Sequence, residues 1–253
     1  MPGSAPDRPS VPAITPPRRG FLGQLIGGAA AVLAGTVASR PLFAQPAFAR
    51  ATRSRAAPAD TAAATPHSAW DMSWVDRITT AHREVFDAPA IAEGTAFNQA
   101  RMYLAGFHDV YGTSDADVNA VVVVRHKGIP MVLDDPLWAR YDFIGKDAKL
   151  KDPATGHDAT RNPFLHAKPD DAHAYVWADG GLDALLGRGV IVLACNMALM
   201  GFAGIIAKRT KQDVDTVRDE LRHGLVPGVT LMPSGIFGVT RAEEAGCHYI
   251  RAT

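Results

Sequence analysis

The sequence predicts an α/β fold, a three-layer α/β/α sandwich built around a mainly parallel sheet. Segments typical of strands alternate with segments typical of helices, and the strand-like runs 121–124 and 190–194 are continuously apolar. Strands buried on both faces have this composition, because parallel sheets are covered by helices on each side. The right-handed rule for crossovers between parallel strands then favours a Rossmann-like or flavodoxin-like arrangement.

The length and composition of the chain predict a globular protein with one sizeable hydrophobic core. The chain has 253 residues, 47% of them hydrophobic, with 26 basic and 26 acidic side chains. This balance does not predict binding to nucleic acid or to another polyanion. The two cysteines, Cys195 and Cys247, exclude a disulfide framework, although one bridge or two free thiols remain open.

The amino-terminal 49 residues have the features of an export signal. Arg18 and Arg19 precede a Gly-, Ala- and Leu-rich run, 21–38, which is typical of a twin-arginine signal. The small-x-small pattern that follows predicts cleavage after Ala49, with Ala44 as an alternative. An uncleaved membrane anchor is the other interpretation of the apolar run. With the signal removed, we expect a periplasmic or secreted protein without membrane contact.

Residues 50–69 are rich in Ala, Pro and Thr and offer little apolar surface to bury. This composition predicts a disordered linker. The folded domain is expected to span 70–253, since the large apolar side chains of Trp70 and Trp74 are atypical of a linker.

The first half of the domain contains three predicted elements. Residues 82–86 form a short strand that ends at Asp87-Ala88-Pro89, and 94–110 form a helix with apolar side chains three and four residues apart. The four consecutive valines within 117–125 indicate a central strand.

The connection to the second half is less regular. Residues 129–133 are either a short strand or an extended connection, and 135–141 predict a helical turn with Pro136 near its start. The segment 145–171 is polar, rich in proline and unusually long for a connection. It is a lid or interface arm in one interpretation and a surface insertion in the other.

The second half alternates regularly between helices and strands. A helix around 183–186 precedes the strand 190–194, and Asn196 is placed to cap the next helix. The remaining predicted elements are a helix at 213–223, a strand at 228–232, a helix at 235–245 capped by Ser234, and a strand at 247–250.

Cys195 lies where a predicted strand ends and a helix begins. Unpaired amide groups and the helix dipole favour an anion there, so a thiol at this position is a candidate nucleophile. The alternative is a small buried hydrophobe, since free cysteine is commonly buried. Cys247, beside His248, is interpreted as structural, and a Cys195–Cys247 disulfide would block chemistry at Cys195.

Ligand sites of open parallel sheets form outside the carboxyl ends of the strands. The sequence leaves six polar or reactive side chains at this edge: Asp87, Arg125, His126, Cys195, Asn196 and Ser234. They combine an anion-binding guanidinium, an imidazole that transfers protons near neutrality, and a thiol.

Several of these side chains also have simpler interpretations. Asp87 before Ala-Pro is typical of a turn, and Ser234 is typical of a helix cap. Arg125 and His126 can instead lie on a solvated edge.

Other site chemistries lack their motifs. The sequence has neither GxGxxG after the first strand nor GxxxxGK[ST], which cradle nucleotide phosphates, and it has no GxSxG of a hydrolase. The histidines of the long polar segment are too irregularly spaced for a zinc site. No metal and no cofactor are therefore predicted.

Three stretches of the domain carry a resemblance to a known family: GRGVIVLAC with the apolar helix that follows it, LVPGVTLMPSGIFGVTRAEEAGCHYI, and DVNAVVVVRHKG as the central strand. Over most of 71–252 the domain thereby resembles the DsrE/DsrF-like sulfur-relay superfamily. The resemblance implies that Cys195, at the end of the matching strand, accepts sulfane sulfur as a persulfide and passes it on. It also implies a homo-oligomer and a sulfur donor or acceptor protein as partner.

Two features depart from the relay proteins of that superfamily, which are cytoplasmic. This chain carries a predicted export signal and the additional segment 145–171. Both indicate an exported branch of unknown function. The alternative to sulfur relay is a non-catalytic small-ligand-binding or oligomeric scaffold protein, in which the cysteine only packs.

Overall fold

The structure, a computed structural model, describes residues 70–253. The predicted signal with Arg18, Arg19 and the cleavage position at Ala49, and the predicted linker 50–69, lie outside the described residues. Within 70–253, no helix is both long and apolar enough to cross a membrane.

Five parallel strands form a sheet in the order β4-β3-β2-β1-β5. The predicted α/β sandwich with a parallel sheet is thereby confirmed. The strands are β1 His82–Ala88, β2 Val118–Val124, β3 Ile191–Cys195, β4 Thr230–Met232 and β5 His248–Arg251.

Seven α-helices connect or flank these strands in the described part of the chain. They are α1 Thr95–Tyr111, α2 Asp135–Arg140, α3 Phe143–Ala148, α4 Leu182–Gly187, α5 Asn196–Thr210, α6 Val214–His223 and α7 Gly235–Glu244. Helix α1 ends at Tyr111 and is capped by Gly112, whose backbone is left-handed and whose N–H donates to the His108 carbonyl.

The valine run of β2 explains how the sheet is buried. Val122 and Val124 belong to a core with α1 and α5, whereas Val121 and Val123 belong to a second core with α7. Successive side chains of a strand point to opposite faces, so a sheet with a core on each side requires consecutive apolar residues.

The prediction of a strand or extended connection at 129–133 is wrong. Residues His126–Val132 form a 3₁₀ helix, and the polar groups of this segment find partners outside the sheet. The Asn162 side chain donates to the Met131 and Leu133 carbonyls at 2.9 and 2.7 Å. A strand partner is therefore unnecessary for these buried carbonyls.

The long polar segment 145–171 is anchored in the core. Its residues Ala159, Asn162 and Phe164 are fully buried, and its first residues belong to α3. The middle of the segment is therefore part of the larger core, whereas most residues of 154–158 and 168–170 are exposed. Whether the segment acts as a lid or interface arm, or is a surface insertion, stays a prediction.

Candidate functional site

The chain changes the face of the sheet that it covers between the neighbouring strands β3 and β4. After β3 it enters α5, whose Leu199 and Ala203 pack in the first core, and after β4 it enters α7, whose Val239 and Ala242 pack in the second. Ligands of open parallel sheets bind in the crevice that such a switch creates at the carboxyl ends of the strands. The amino termini of α5 and α7 border this crevice.

Cys195 is the last residue of β3 and the N-cap of α5. Its Sγ accepts a hydrogen bond from the Ala198 N–H at 3.4 Å. The prediction that Asn196 is the cap is therefore wrong, because Asn196 already has helical backbone and the thiol occupies the capping position. Only 6% of the Cys195 surface is exposed, so access to the sulfur is narrow.

The two cysteines are free, and no bridge blocks Cys195. Cys195 lies at the carboxyl end of β3, whereas Cys247 precedes β5 at the opposite edge of the sheet. Burial raises the pKa of the Cys247 thiol from 9.0 to about 11. A thiol with this pKa stays protonated near neutrality, which fits the structural role predicted for Cys247.

Asn196 begins α5 and is buried, with 8% of its surface exposed. Its Nδ2 donates to the Met200 Sδ at 3.3 Å, while its Oδ1 is buried and accepts no hydrogen bond within the described residues. A buried acceptor without a partner is rare and calls for an explanation such as a bound molecule.

Asp87 and Arg125 form a two-point ion pair beside this crevice. The Arg125 Nε and Nη2 donate to the two carboxylate oxygens of Asp87 at 2.6 and 2.8 Å. Asp87 lies inside β1 and is 2% exposed, so the prediction that it shapes a turn is wrong. The Tyr249 hydroxyl of β5 donates to the same carboxylate at 2.9 Å.

The Arg125 guanidinium is fixed but not enclosed. Hydrogen bonding to Asp87 raises the pKa of Arg125, and the nearby Cys195 side chain contributes in the same direction to a smaller extent. Its side chain retains 26% exposure, and its Nη1 has no hydrogen-bond partner in the described part of the chain. Arg125 therefore presents a donor to an anion near Cys195.

Gly235 provides the space in which Arg125 lies. A Cβ at Gly235 would approach the Arg125 Cβ to 2.6 Å and the Cδ to 2.7 Å, so any side chain there would displace the arginine. The preceding Ser234 caps α7, with its Oγ accepting from the Phe237 N–H at 3.1 Å. The simpler interpretation of Ser234, a helix cap, thus accounts for its contacts.

His126 does not join this group of side chains. It is exposed, and its ring makes no hydrogen bond to any residue in 70–253. Its positive φ of 50° starts the 3₁₀ helix that turns the chain away from β2. The structure thus pairs Asp87 with Arg125 and places Arg125 near Cys195, which Asn196 follows in the chain. His126 is left on the solvated edge.

Sequence reasoning missed Tyr249 and Gly235. Tyr249 reaches Asp87 because β5 returns to the far side of β1, and no local pattern reports that pairing. Gly235 follows a helix cap, and a glycine at that position is compatible with several roles. Its close contact with Arg125 could therefore not be predicted from the sequence.

Comparison with known proteins identifies neither a family nor a function for the chain. No family model matches the chain, and no curated protein matches it. Among solved structures it is similar to MTH1491, a protein of unknown function from Methanobacterium thermoautotrophicum. The two are 18% identical with a TM-score of 0.35, and the match covers 67% of this chain and 98% of the other.

Proposed function

We propose that this chain accepts sulfane sulfur on Cys195 as a persulfide and passes it to a second thiol. The observation that carries the proposal is the location of the Cys195 Sγ at the N-cap of the 15-residue helix α5, in the switch-point crevice. The Ala198 N–H and the helix dipole favour negative charge on this sulfur.

The chemistry exchanges one sulfur–sulfur bond for another. The Cys195 proton goes to solvent, and the thiolate attacks the outer sulfur of a donor persulfide or of thiosulfate. The donor bond breaks, and the electron pair leaves on the donor thiolate or on sulfite. An acceptor thiolate then attacks the outer sulfur of the Cys195 persulfide and returns Cys195 to the thiolate.

Arg125 supplies a hydrogen-bond donor that can orient the incoming anion. Thiosulfate and persulfides are anions, and the Arg125 Nη1 is not used by Asp87, which occupies only Nε and Nη2. The paired carboxylate prevents the arginine from swinging to another acceptor. Binding of the anion therefore needs little further ordering of the guanidinium.

Persulfide formation is the direct test of this function. After incubation with thiosulfate or polysulfide, mass spectrometry of the intact protein is expected to show the added mass of one sulfur atom, located on Cys195 by peptide mapping. The matched control is Cys195→Ser, because serine also accepts the Ala198 N–H as an N-cap and preserves the helix. A folded protein that gains no sulfur at Cys195 would contradict the proposal.

The low exposure of Cys195 favours a second candidate function, a small-ligand-binding or scaffold protein in which this thiol only packs. Cys247 is a suitable internal standard because it is equally buried, at 6% exposure. The two thiols thus differ in their electrostatic surroundings and not in how much surface they expose.

The rates of alkylation of the two cysteines in the native protein separate the candidates. We expect Cys195 to react with iodoacetamide at neutral pH at least about tenfold faster than Cys247, because the raised pKa of Cys247 leaves little thiolate. Labelling of Cys247 should rise with pH toward its pKa of about 11. Equal, slow labelling of both thiols would support the packing function and weigh against sulfur transfer.

A further inference from the structure

The two edges of the sheet differ in how they are protected. The β4 edge has three residues, Thr230–Met232, and is flanked by Pro227 and Pro233. Short edge strands and prolines are devices that prevent pairing with another chain. The opposite edge, β5, has four exposed residues and no proline, and its one permanently charged side chain is Arg251.

Within 70–253, the outer side of β5 combines backbone groups that have no hydrogen-bond partner with apolar side chains. Tyr249 is 45% exposed and Ile250 38% exposed. The Ala252 N–H donates inward to the Asp87 carbonyl at 2.8 Å. Since backbone groups alternate in direction along a strand, those of Ile250 face β1 and those of Tyr249 and Arg251 point away from the sheet.

From this edge we infer that β5 pairs with β5 of a second copy, in antiparallel orientation, with the two-fold axis at Ile250. This register places Tyr249 opposite Arg251 of the second copy and uses every outward backbone group of these two residues. Four backbone hydrogen bonds form across the axis, and the two five-stranded sheets become one of ten strands. A two-fold axis at Tyr249 would instead place Cys247 opposite Arg251 of the second copy. This register is less suitable, because the Cys247 N–H already donates to the Ala242 carbonyl.

The side chains fit the same register. Residues directly opposite each other in an antiparallel pair share a face of the sheet. Ile250 therefore meets its own copy in an apolar contact, and the Arg251 guanidinium meets the Tyr249 ring of the second copy in a cation–π contact. In a two-fold interface the same surface of each subunit forms both sides. Because the β5 edge is complementary to itself, we infer that its partner is a second copy of this chain.

This interface lies next to the candidate site but does not depend on sulfur chemistry. Tyr249 bonds Asp87, which holds Arg125, so the dimer would fix the tyrosine from its outer side. Failure of persulfide formation would leave the interface unaffected, and a monomeric protein would leave persulfide formation on Cys195 open.

Cysteine crosslinking in the full chain tests both the interface and its register. The two Cα atoms of Ile250 are expected about 4.5 Å apart across the axis, within the range that a disulfide spans. Ile250→Cys should therefore form a covalent dimer under mild oxidation. The control is Ile205→Cys, an exposed position on α5 with 61% exposure, which should not crosslink.

Sedimentation provides the second measurement. The unmodified chain should sediment as a dimer, and Ile250→Lys should raise the dimer dissociation constant at least about tenfold, whereas Ile205→Lys should not. A chain that stays monomeric up to about 100 µM, with Ile250→Cys crosslinking no better than Ile205→Cys, would overturn the inference. That outcome would indicate that another protein, or another part of this chain, covers β5.

Discussion

Replacing Asn162 by alanine is expected to lower the free energy of unfolding by about 3–5 kcal/mol. Asn162 is fully buried and donates to the Met131 and Leu133 carbonyls, and its Oδ1 accepts from the Phe164 N–H at 3.0 Å. Alanine leaves three buried backbone groups without partners, and each costs about 1–3 kcal/mol, less the relaxation that water entry allows. Chemical denaturation measures the difference.

Asn98→Ala is the matched control for this substitution. Asn98 is partly buried and its side chain donates a single hydrogen bond, to the Tyr175 carbonyl at 2.8 Å. Its replacement should cost about 1 kcal/mol. If the two variants are equally stable, Asn162 does not anchor the segment 145–171, and the lid interpretation of that segment gains support.

The same change, glycine to alanine, is expected to have opposite effects at Gly145 and at Gly201. A Cβ at Gly145 in α3 would lie 2.0 Å from the Ala159 carbonyl oxygen, so the backbone of the long segment would have to move. Gly201 is exposed within α5, and nothing lies within 4 Å of its added Cβ. Gly145→Ala should destabilise the protein by about 3 kcal/mol, and Gly201→Ala should stabilise it by about 0.5–1 kcal/mol.

Thermal or chemical unfolding of the two variants and of the unmodified chain shows directly whether each substitution raises or lowers the free energy of unfolding. The contrast tests the packing of α3 against residue 159, because helix propensity alone would stabilise both variants. Stabilisation by Gly145→Ala would mean that the segment 145–171 does not approach α3 as described.

Local sequence pattern was sufficient where local physics controls the structure. The valine run of β2 has to be buried on both faces, and the period of 94–110 allows one buried helix face, so both elements could be predicted. Pattern was insufficient at 129–133, where an apolar pentapeptide fits several conformations. There Asn162, about thirty residues away along the chain, supplies the side-chain amide that replaces a strand partner.

The candidate site also has one part that could be predicted from neighbouring residues and one part that could not. The strand-to-helix junction at Cys195 follows from neighbouring residues, although the choice of Cys195 over Asn196 as the cap depended on backbone angles that the sequence does not report. The ion pair between Asp87 and Arg125 joins residues 38 positions apart, and Tyr249 is 162 positions from Asp87. These contacts exist only because β1 lies between β2 and β5.

By itself the sequence determined the alternation of strands and helices and the two-sided burial of the sheet. Each of these depends on the order of apolar and capping residues over a few turns or strand positions. The tertiary structure alone decided the strand order, the partners of Asp87, the anchoring of the long segment and the exposed state of β5. The physical reason is that such contacts are selected by the total burial and hydrogen bonding of distant segments, which no short stretch of sequence encodes.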